Sequence, residues 1–90
     1  MAPSYKLRVI TPHGEAYSGD VTHTLLPAED GLVGVLAHHA PYVTSSQGGP
    51  LRIRETDGSE KVFRVGIGFF EVAHNEATFL TQSFTSTLSH

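Results

Sequence analysis

Six histidines occur among the 90 residues of this chain, and two of them are adjacent. Imidazole nitrogens are common ligands of zinc and copper, so a site that combines His38 and His39 with His13 or His23 is the first chemistry to consider. Adjacent side chains of an extended segment point to opposite faces, however. The spacings H-x9-H and H-x14-H also match no standard metal site. We therefore expect separate histidines in loops or on the surface, and no metal.

Serine-dependent hydrolysis is the second chemistry that the residues allow, with Ser45 or Ser46 as nucleophile and His39 and Asp30 as partners. Neither serine lies in a G-x-S-x-G nucleophile elbow. Asp30 and its neighbour Glu29 lie in a Pro/Gly-rich stretch, where acidic residues favour turns and solvent. The chain has no cysteine that could serve as an alternative nucleophile. The sequence thus predicts a non-catalytic protein.

Gly66-x-Gly68 is a fragment of a phosphate-binding pattern, but it lacks the third glycine and the following helix. We interpret it as a bulge or a close-packing site in a sheet. No cofactor is expected.

The charge pattern argues against nucleic acid as a ligand. Six basic and nine acidic residues give a formal net charge of −3, and the basic residues alternate with apolar ones instead of forming a basic face. No apolar run approaches the roughly 18 residues of a membrane span, and the N-terminus lacks the features of a secretory signal. Any membrane contact is therefore expected to come through another protein.

Short segments with a side-chain period of two predict an all-β domain. Leu7 and Val9 alternate with Lys6 and Arg8. The predicted strands cover residues 5–10, 15–18, 21–26, 32–36, 42–46, 51–55, 60–65, 66–72 and 77–80. Turns are expected at residues 11–14, 18–20, 47–50, 56–59 and 73–76, with Pro27 ending a strand before a loop over residues 27–31. Such spacing is typical of a sandwich or barrel.

The whole chain, residues 1–90, is expected to form one domain with its core in residues 5–81. Residues 82–90 are polar and are predicted to form a final edge strand followed by a frayed end.

Several neighbouring apolar residues exceed what one thin core can hide, since alternation turns about half of each run outward. An outward apolar patch on a small domain usually marks a partner surface. The residues concerned are Leu32, Val33, Val35, Leu36, Tyr42, Val43, Phe69 and Phe70.

An ordered set of motifs resembles a known family. The segments L-R-V-I-T-P, Y-S-G-D-V, L-L-P-A-E-D-G-L-V-G-V-L-A-H-H-A-P, L-R-I-R and G-F-F-E-V follow one another from Tyr5 to Thr81. They are similar to the N-terminal domain of the epsilon subunit of F-type ATP synthase, which is called delta in mitochondria. The resemblance implies a flattened antiparallel β-sandwich of about ten short strands without an active site.

The resemblance also implies partners, namely the gamma subunit and the c-ring, with the domain joining parts of the rotor. It implies a peripheral position on the cytoplasmic face of a bacterial inner membrane, reached through these subunits. The predicted contact residues, all placed at one end of the sandwich except the last two, are Glu29, Asp30, Gly31, Leu32, His39, Ala40, Pro41, Phe69 and Phe70. Phe69 and Phe70 are interpreted as either core or gamma-facing.

Two departures from the family pattern affect this surface. Leu32 occupies a position that is commonly acidic, which puts a charge contact with a basic c-ring loop in doubt, and Ala37-His38 replaces Pro-Gly. Family members commonly continue into two helices that inhibit ATP hydrolysis or bind ATP, so neither property is expected of residues 1–90. The alternatives that remain are a free-standing sandwich that binds a peptide or small ligand and a His-dependent metalloenzyme.

Overall fold

The computed structural model describes residues 2–86, which form nine strands and no helix. The strands are β1 (Tyr5–Thr11), β2 (Gly14–Ala28), β3 (Gly31–Leu36), β4 (Tyr42–Ser46), β5 (Gly49–Glu55), β6 (Glu60–Val65), β7 (Gly68–Ala73), β8 (Glu76–Thr81) and β9 (Phe84–Ser86). The all-β prediction is confirmed, with nine strands where about ten were expected. The edge strand predicted within residues 82–90 corresponds to β9, whereas the last four residues of that range, 87–90, lie outside the described residues, so the predicted frayed end is not tested. Within the described range, nothing forms a helix that could span a membrane.

Strand β2 organises the sheet because it takes part in both halves of the sandwich. Its first part pairs with β1, and its second part lies between β3 and β5. The strands follow the order β4-β7-β8-β1-β2-β5-β6-β9, with β3 beside β2 and only the β1–β8 pair parallel. Buried side chains from both halves form a single core cluster, so the two halves of the sheet pack as the layers of a sandwich.

Alternation fixes which side chains enter this core. On β1, Tyr5, Leu7 and Val9 are buried while Lys6 and Arg8 are exposed, as predicted. The same pattern places Leu51 and Ile53 of β5 and Val65 of β6 inside. The fully buried aromatic residues are Phe70 and Phe79.

The prediction of a turn at residues 18–20 is wrong, because β2 runs through this stretch without a break. Gly19 pairs with Leu7 in the β1–β2 ladder. A Cβ atom on Gly19 would lie 2.8 Å from the hydroxyl oxygen of Tyr17, so this glycine makes room for a side chain and does not turn the chain.

Pro27 does not end the strand either, since it pairs with Leu32 inside the β2–β3 hairpin. The ladder with β5 stops at Leu25, which leaves Pro27 with a neighbouring strand on one side only. A proline is tolerated at such an edge position because it has no N–H to offer to a second strand.

Gly68 confirms the prediction of a close-packing site. It pairs with Thr81 on β8, and a Cβ atom added to it would overlap the carbonyl oxygen of Leu80. The side-chain hydroxyl of the buried Thr81 lies 3.0 Å from the carbonyl oxygen of Gly66. These contacts hold the start of β7 against the end of β8.

Tyr5 connects β1 with the β2–β3 hairpin across the core. Its hydroxyl oxygen lies 2.5 Å from the hydroxyl of Thr24 and 2.9 Å from the carbonyl oxygen of Val35. Burial raises the pKa of Tyr5 to about 12, and the Thr24 hydrogen bond offsets part of this effect. Burial and the carboxylate of Glu55 raise the pKa of Tyr17 as well.

We predict that alkaline pH destabilises the protein partly through Tyr5. Its folded pKa of about 12 lies above the ordinary value of 10.0, so the stabilisation is complete below pH 10 and is lost as the pH rises towards 12. Tyr5→Phe should cost about 1–2 kcal/mol at pH 7, because it leaves buried polar groups unpaired. Between pH 10 and 12 the variant should lose less stability than the wild type, with the remaining slope due to Tyr17 and other groups. Urea unfolding at several pH values measures both effects, and equal alkaline slopes would contradict the prediction.

Candidate partner-binding surfaces

The acidic stretch that was predicted as a loop is a tight hairpin turn between β2 and β3. Ala28 pairs with Gly31, so Glu29 and Asp30 alone form the turn. Gly31 has a φ of 124°, a conformation that favours glycine. Leu32 follows with 62% of its surface exposed. We call residues 29–32 the hairpin tip.

The hairpin tip is attached to strand β4 by one side-chain hydrogen bond. The hydroxyl of Ser45 donates to Oε1 of Glu29 over 3.0 Å. Ser45 lies directly opposite Phe69 of β7, and opposite residues of a ladder share one face of the sheet. The hairpin tip therefore borders the outer face of the β4–β7–β8 layer.

That outer face carries a cluster of apolar side chains, with the exposed Glu71 opposite Val43 at its border. Phe69 is opposite Leu80 of β8, and Leu80 is opposite Ile10 of β1. Val43 of β4 lies on the same face, and with Phe69 and Leu80 it lines a shallow groove of about 150 Å³. Val43, Phe69 and Leu80 are 66%, 60% and 50% exposed. We call Val43, Phe69, Leu80 and Ile10 the apolar band.

The two adjacent phenylalanines of β7 have different positions. Phe70 is fully buried and meets Phe79 edge-on, with ring centroids 6.0 Å apart. Of the two roles considered for it, the core role applies, and its side chain is not available to a partner. Phe69 points outward into the apolar band. From the same predicted apolar set, Val35 belongs to the core while Leu36 is exposed.

The histidine pair lies in the connection between β3 and β4, residues 37–41, which we call the His-Pro segment. The ring of His39 is half-buried, with its Nδ1 atom 2.7 Å from the carbonyl oxygen of Ala40 and its centroid 5.8 Å from that of Tyr42. Ala40 and Pro41 are exposed. His38, at a position where the resembling family has glycine, adopts a φ of 63°.

The prediction that the hairpin tip and the His-Pro segment share one end of the sandwich is wrong. The tip includes the first two residues of β3, whereas the His-Pro segment follows its last residue, and all six residues of the strand, Gly31–Leu36, are extended. At roughly 3.3 Å per residue, such a strand separates its ends by about 20 Å. Hydrogen bonds agree with this geometry, since the tip contacts Ser45 near the end of β4 while His38 contacts Asn75 in the β7–β8 turn.

Residues 2–86 contain no group of three or more His, Cys, Asp or Glu side chains placed to hold a metal ion.

Two residues that matter for the candidate surfaces, Leu80 and Asn75, were not identified from the sequence. Leu80 was detectable, because alternation along β8 buries Ala77 and Phe79 and so turns Leu80 outward. Asn75 had no such signal, because its partners are distant in sequence.

Comparison with known proteins relates the chain to one family. The family described as "ATP synthase, Delta/Epsilon chain, beta-sandwich domain" matches residues 4–87. An ATP synthase epsilon chain of Chlorobium limicola is 38% identical over 79 residues, which cover 88% of this chain and 90% of that relative. An epsilon chain of Sulfurihydrogenibium sp. is 37% identical over 78 residues, which cover 87% of this chain and 58% of that longer relative.

Solved structures share the fold at low sequence identity. A chain in the mitochondrial ATP synthase of Euglena gracilis, solved as an OSCP/F1/c-ring assembly, superposes with a TM-score of 0.87 at 19% identity, covering all of this chain and 59% of that one. A chain in the central stalk and c-ring of the Tetrahymena thermophila enzyme has a TM-score of 0.77 at 15% identity, with 94% and 68% covered.

The different burial of Phe69 and Phe70 gives a direct stability test. We expect Phe70→Ala to lower the free energy of unfolding by about 3–5 kcal/mol, because it leaves a large cavity in the core. Phe69→Ala should change it by less than about 0.5 kcal/mol, because the side chain is already largely in solvent. Urea unfolding of the two variants serves as a matched comparison. Similar losses for both would contradict the assigned strand orientation.

Proposed function

Because the chain belongs to the family of ATP synthase delta/epsilon chain β-sandwich domains, we propose that it is a non-catalytic subunit of the central stalk of an F-type ATP synthase. In this role it joins the gamma subunit to the c-ring, and it helps to couple proton movement through the ring to ATP synthesis. The relatives that support this role carry the name ATP synthase epsilon chain, and the resemblance seen in the sequence is thereby confirmed.

One structural observation carries the proposal best, namely the exposed apolar band beside the hairpin tip. Isolated exposed apolar residues are common on protein surfaces, but adjacent ones such as Val43, Phe69 and Leu80, on three neighbouring strands, are typical of a partner surface. The band lies on a rigid sheet whose inner face is the Phe70–Phe79 core. Such a preformed surface can be covered without reordering the backbone, so less conformational entropy is lost on binding.

We assign two contact surfaces to this role. The first consists of Glu29, Asp30, Gly31 and Leu32 of the hairpin tip together with Phe69 of the apolar band. The second consists of His39, Ala40 and Pro41 in the His-Pro segment. A subunit that joins two rotor components needs surfaces that can be occupied at the same time, and separate ends of β3 satisfy this need.

Leu32 gives the hairpin tip an apolar contact where the family commonly has a charged one. A tip that ends in Glu29, Asp30 and Leu32 can combine burial of the leucine side chain with hydrogen bonds that its carboxylates accept from basic side chains of a partner loop. The subunit is part of the membrane-associated synthase complex, and we place it on the cytoplasmic face of a bacterial inner membrane. It reaches the membrane only through its partners.

A reconstitution experiment tests the proposal. We expect the purified protein to restore ATP-driven proton pumping in membranes whose own epsilon subunit has been removed. Phe69→Asp and Leu32→Lys should each weaken binding at least tenfold, which corresponds to about 1.4 kcal/mol, because a charge would be desolvated in the contact, and the lysine would also face basic loops. Titration of the stripped membranes with labelled protein measures the affinity.

Thr85→Asp is the matched control, because Thr85 is exposed on β9 opposite Arg64, in the other half of the sheet. It adds the same charge as Phe69→Asp, but away from both proposed surfaces, and should leave binding unchanged. Thermal unfolding should show that all three variants stay folded. Absence of wild-type binding at micromolar concentration would refute the function, and equal effects of Phe69→Asp and Thr85→Asp would refute the assigned surface.

A further inference from the structure

Two neighbouring turns of the described structure contain its non-glycine residues with positive φ. His38 of the His-Pro segment has a φ of 63°, while His74 and Asn75 of the β7–β8 turn have values of 52° and 63°. The left-handed region is unfavourable for residues with a Cβ atom, and such residues persist only where surrounding contacts hold them. The contacts that hold His38 therefore decide the path of the His-Pro segment.

Asn75 supplies these contacts through both ends of its side-chain amide. Its Oδ1 atom accepts the backbone N–H of His38 at 2.7 Å, and its Nδ2 atom donates to the carbonyl oxygen of Ser4 at 2.9 Å. The carbonyl oxygen of Asn75 also accepts the N–H of Lys6, over 3.4 Å. One half-buried side chain thus joins its own turn to two segments that are 37 and 71 residues away in sequence.

We propose that Asn75 is a positioning residue that fixes the His-Pro segment in its binding conformation, an inference that rests on the proposed function for its binding consequence. Asn75 does not itself contact the partner. It acts by holding His38, which sets the direction in which His39, Ala40 and Pro41 follow. A loop that is already ordered loses less conformational entropy when a partner binds, so its affinity is higher than that of the same loop when mobile.

The chemistry of the residue explains why asparagine suits this position. Asparagine adopts positive φ more readily than most residues, and it carries an acceptor and a donor on one short side chain. Aspartate keeps the acceptor for His38 and loses the donor for Ser4. Glycine keeps the turn, and the carbonyl that bonds Lys6, and loses both side-chain bonds. The two substitutions therefore separate the clamp on His38 from the turn itself.

Two measurements on the isolated protein and on stripped membranes test the inference. Amide hydrogen exchange, followed by NMR, reports on the N–H of His38. In Asn75→Gly this amide should exchange at least about tenfold faster, whereas the amide of Lys6 should keep its rate. The affinity for membranes without their epsilon subunit should fall about three- to tenfold. Asn75→Asp keeps the acceptor for His38 but sets a carboxylate oxygen against the Ser4 carbonyl, so it should be affected less than Asn75→Gly in both measurements.

His74→Gly is the control, because it places glycine in the same turn at a position with positive φ. It should change neither the exchange of His38 nor the affinity. Unchanged exchange of the His38 amide in Asn75→Gly would overturn the clamp. Faster exchange with unchanged affinity would overturn its role in binding. If the wild-type protein itself failed to bind, the proposed function and the binding role would both be refuted. The exchange rates would still show whether Asn75 holds His38 in place.

Discussion

The constraint on which this structure depends is the two-residue period of side chains in an extended strand, applied to a sandwich with one core. Each strand that donates a residue to the core must turn its neighbours outward. On β7 this rule buries Phe70 and Val72 and exposes Phe69. The core and the candidate docking surface are thus encoded by alternate residues of the same strands, and a register shift of one residue would exchange them.

This shared origin also explains why the apolar band is a firm surface. The side chains beneath it, Phe70 and Phe79, interlock with the rest of the core, and Gly68 lets β7 approach β8 closely. Tyr5 joins the layer that carries the band to the β2–β3 hairpin through Thr24 and Val35. A partner that covers the band therefore contacts a sheet that is held in place by the close-packed core on its inner side.

The sequence was a good guide where the determining contacts are local and a poor one where they are distant. Alternation alone identified the inner residues of β1 and β5, such as Leu7 and Ile53. It misread Gly19, because glycine usually signals a turn and nothing nearby indicated that the Tyr17 ring would need the space. It also could not assign Phe69 and Phe70 to the core or to the surface, since a run of two aromatic residues fits either register. The ordered motifs identified the family, but they could not show that β3 separates the hairpin tip from the His-Pro segment.

The separation of these two surfaces changes what the domain can do for an assembly. If both lay at one end, two partners would compete for a small area, whereas ends about 20 Å apart along β3 can be occupied together. A domain of 90 residues buries only roughly 60–65% of its unfolded surface, so its stability on its own is modest. Each partner that binds only the folded chain adds to that stability. In the proposed role, binding at one end therefore favours the conformation that the other end presents, and the rotor connection strengthens the fold on which it depends.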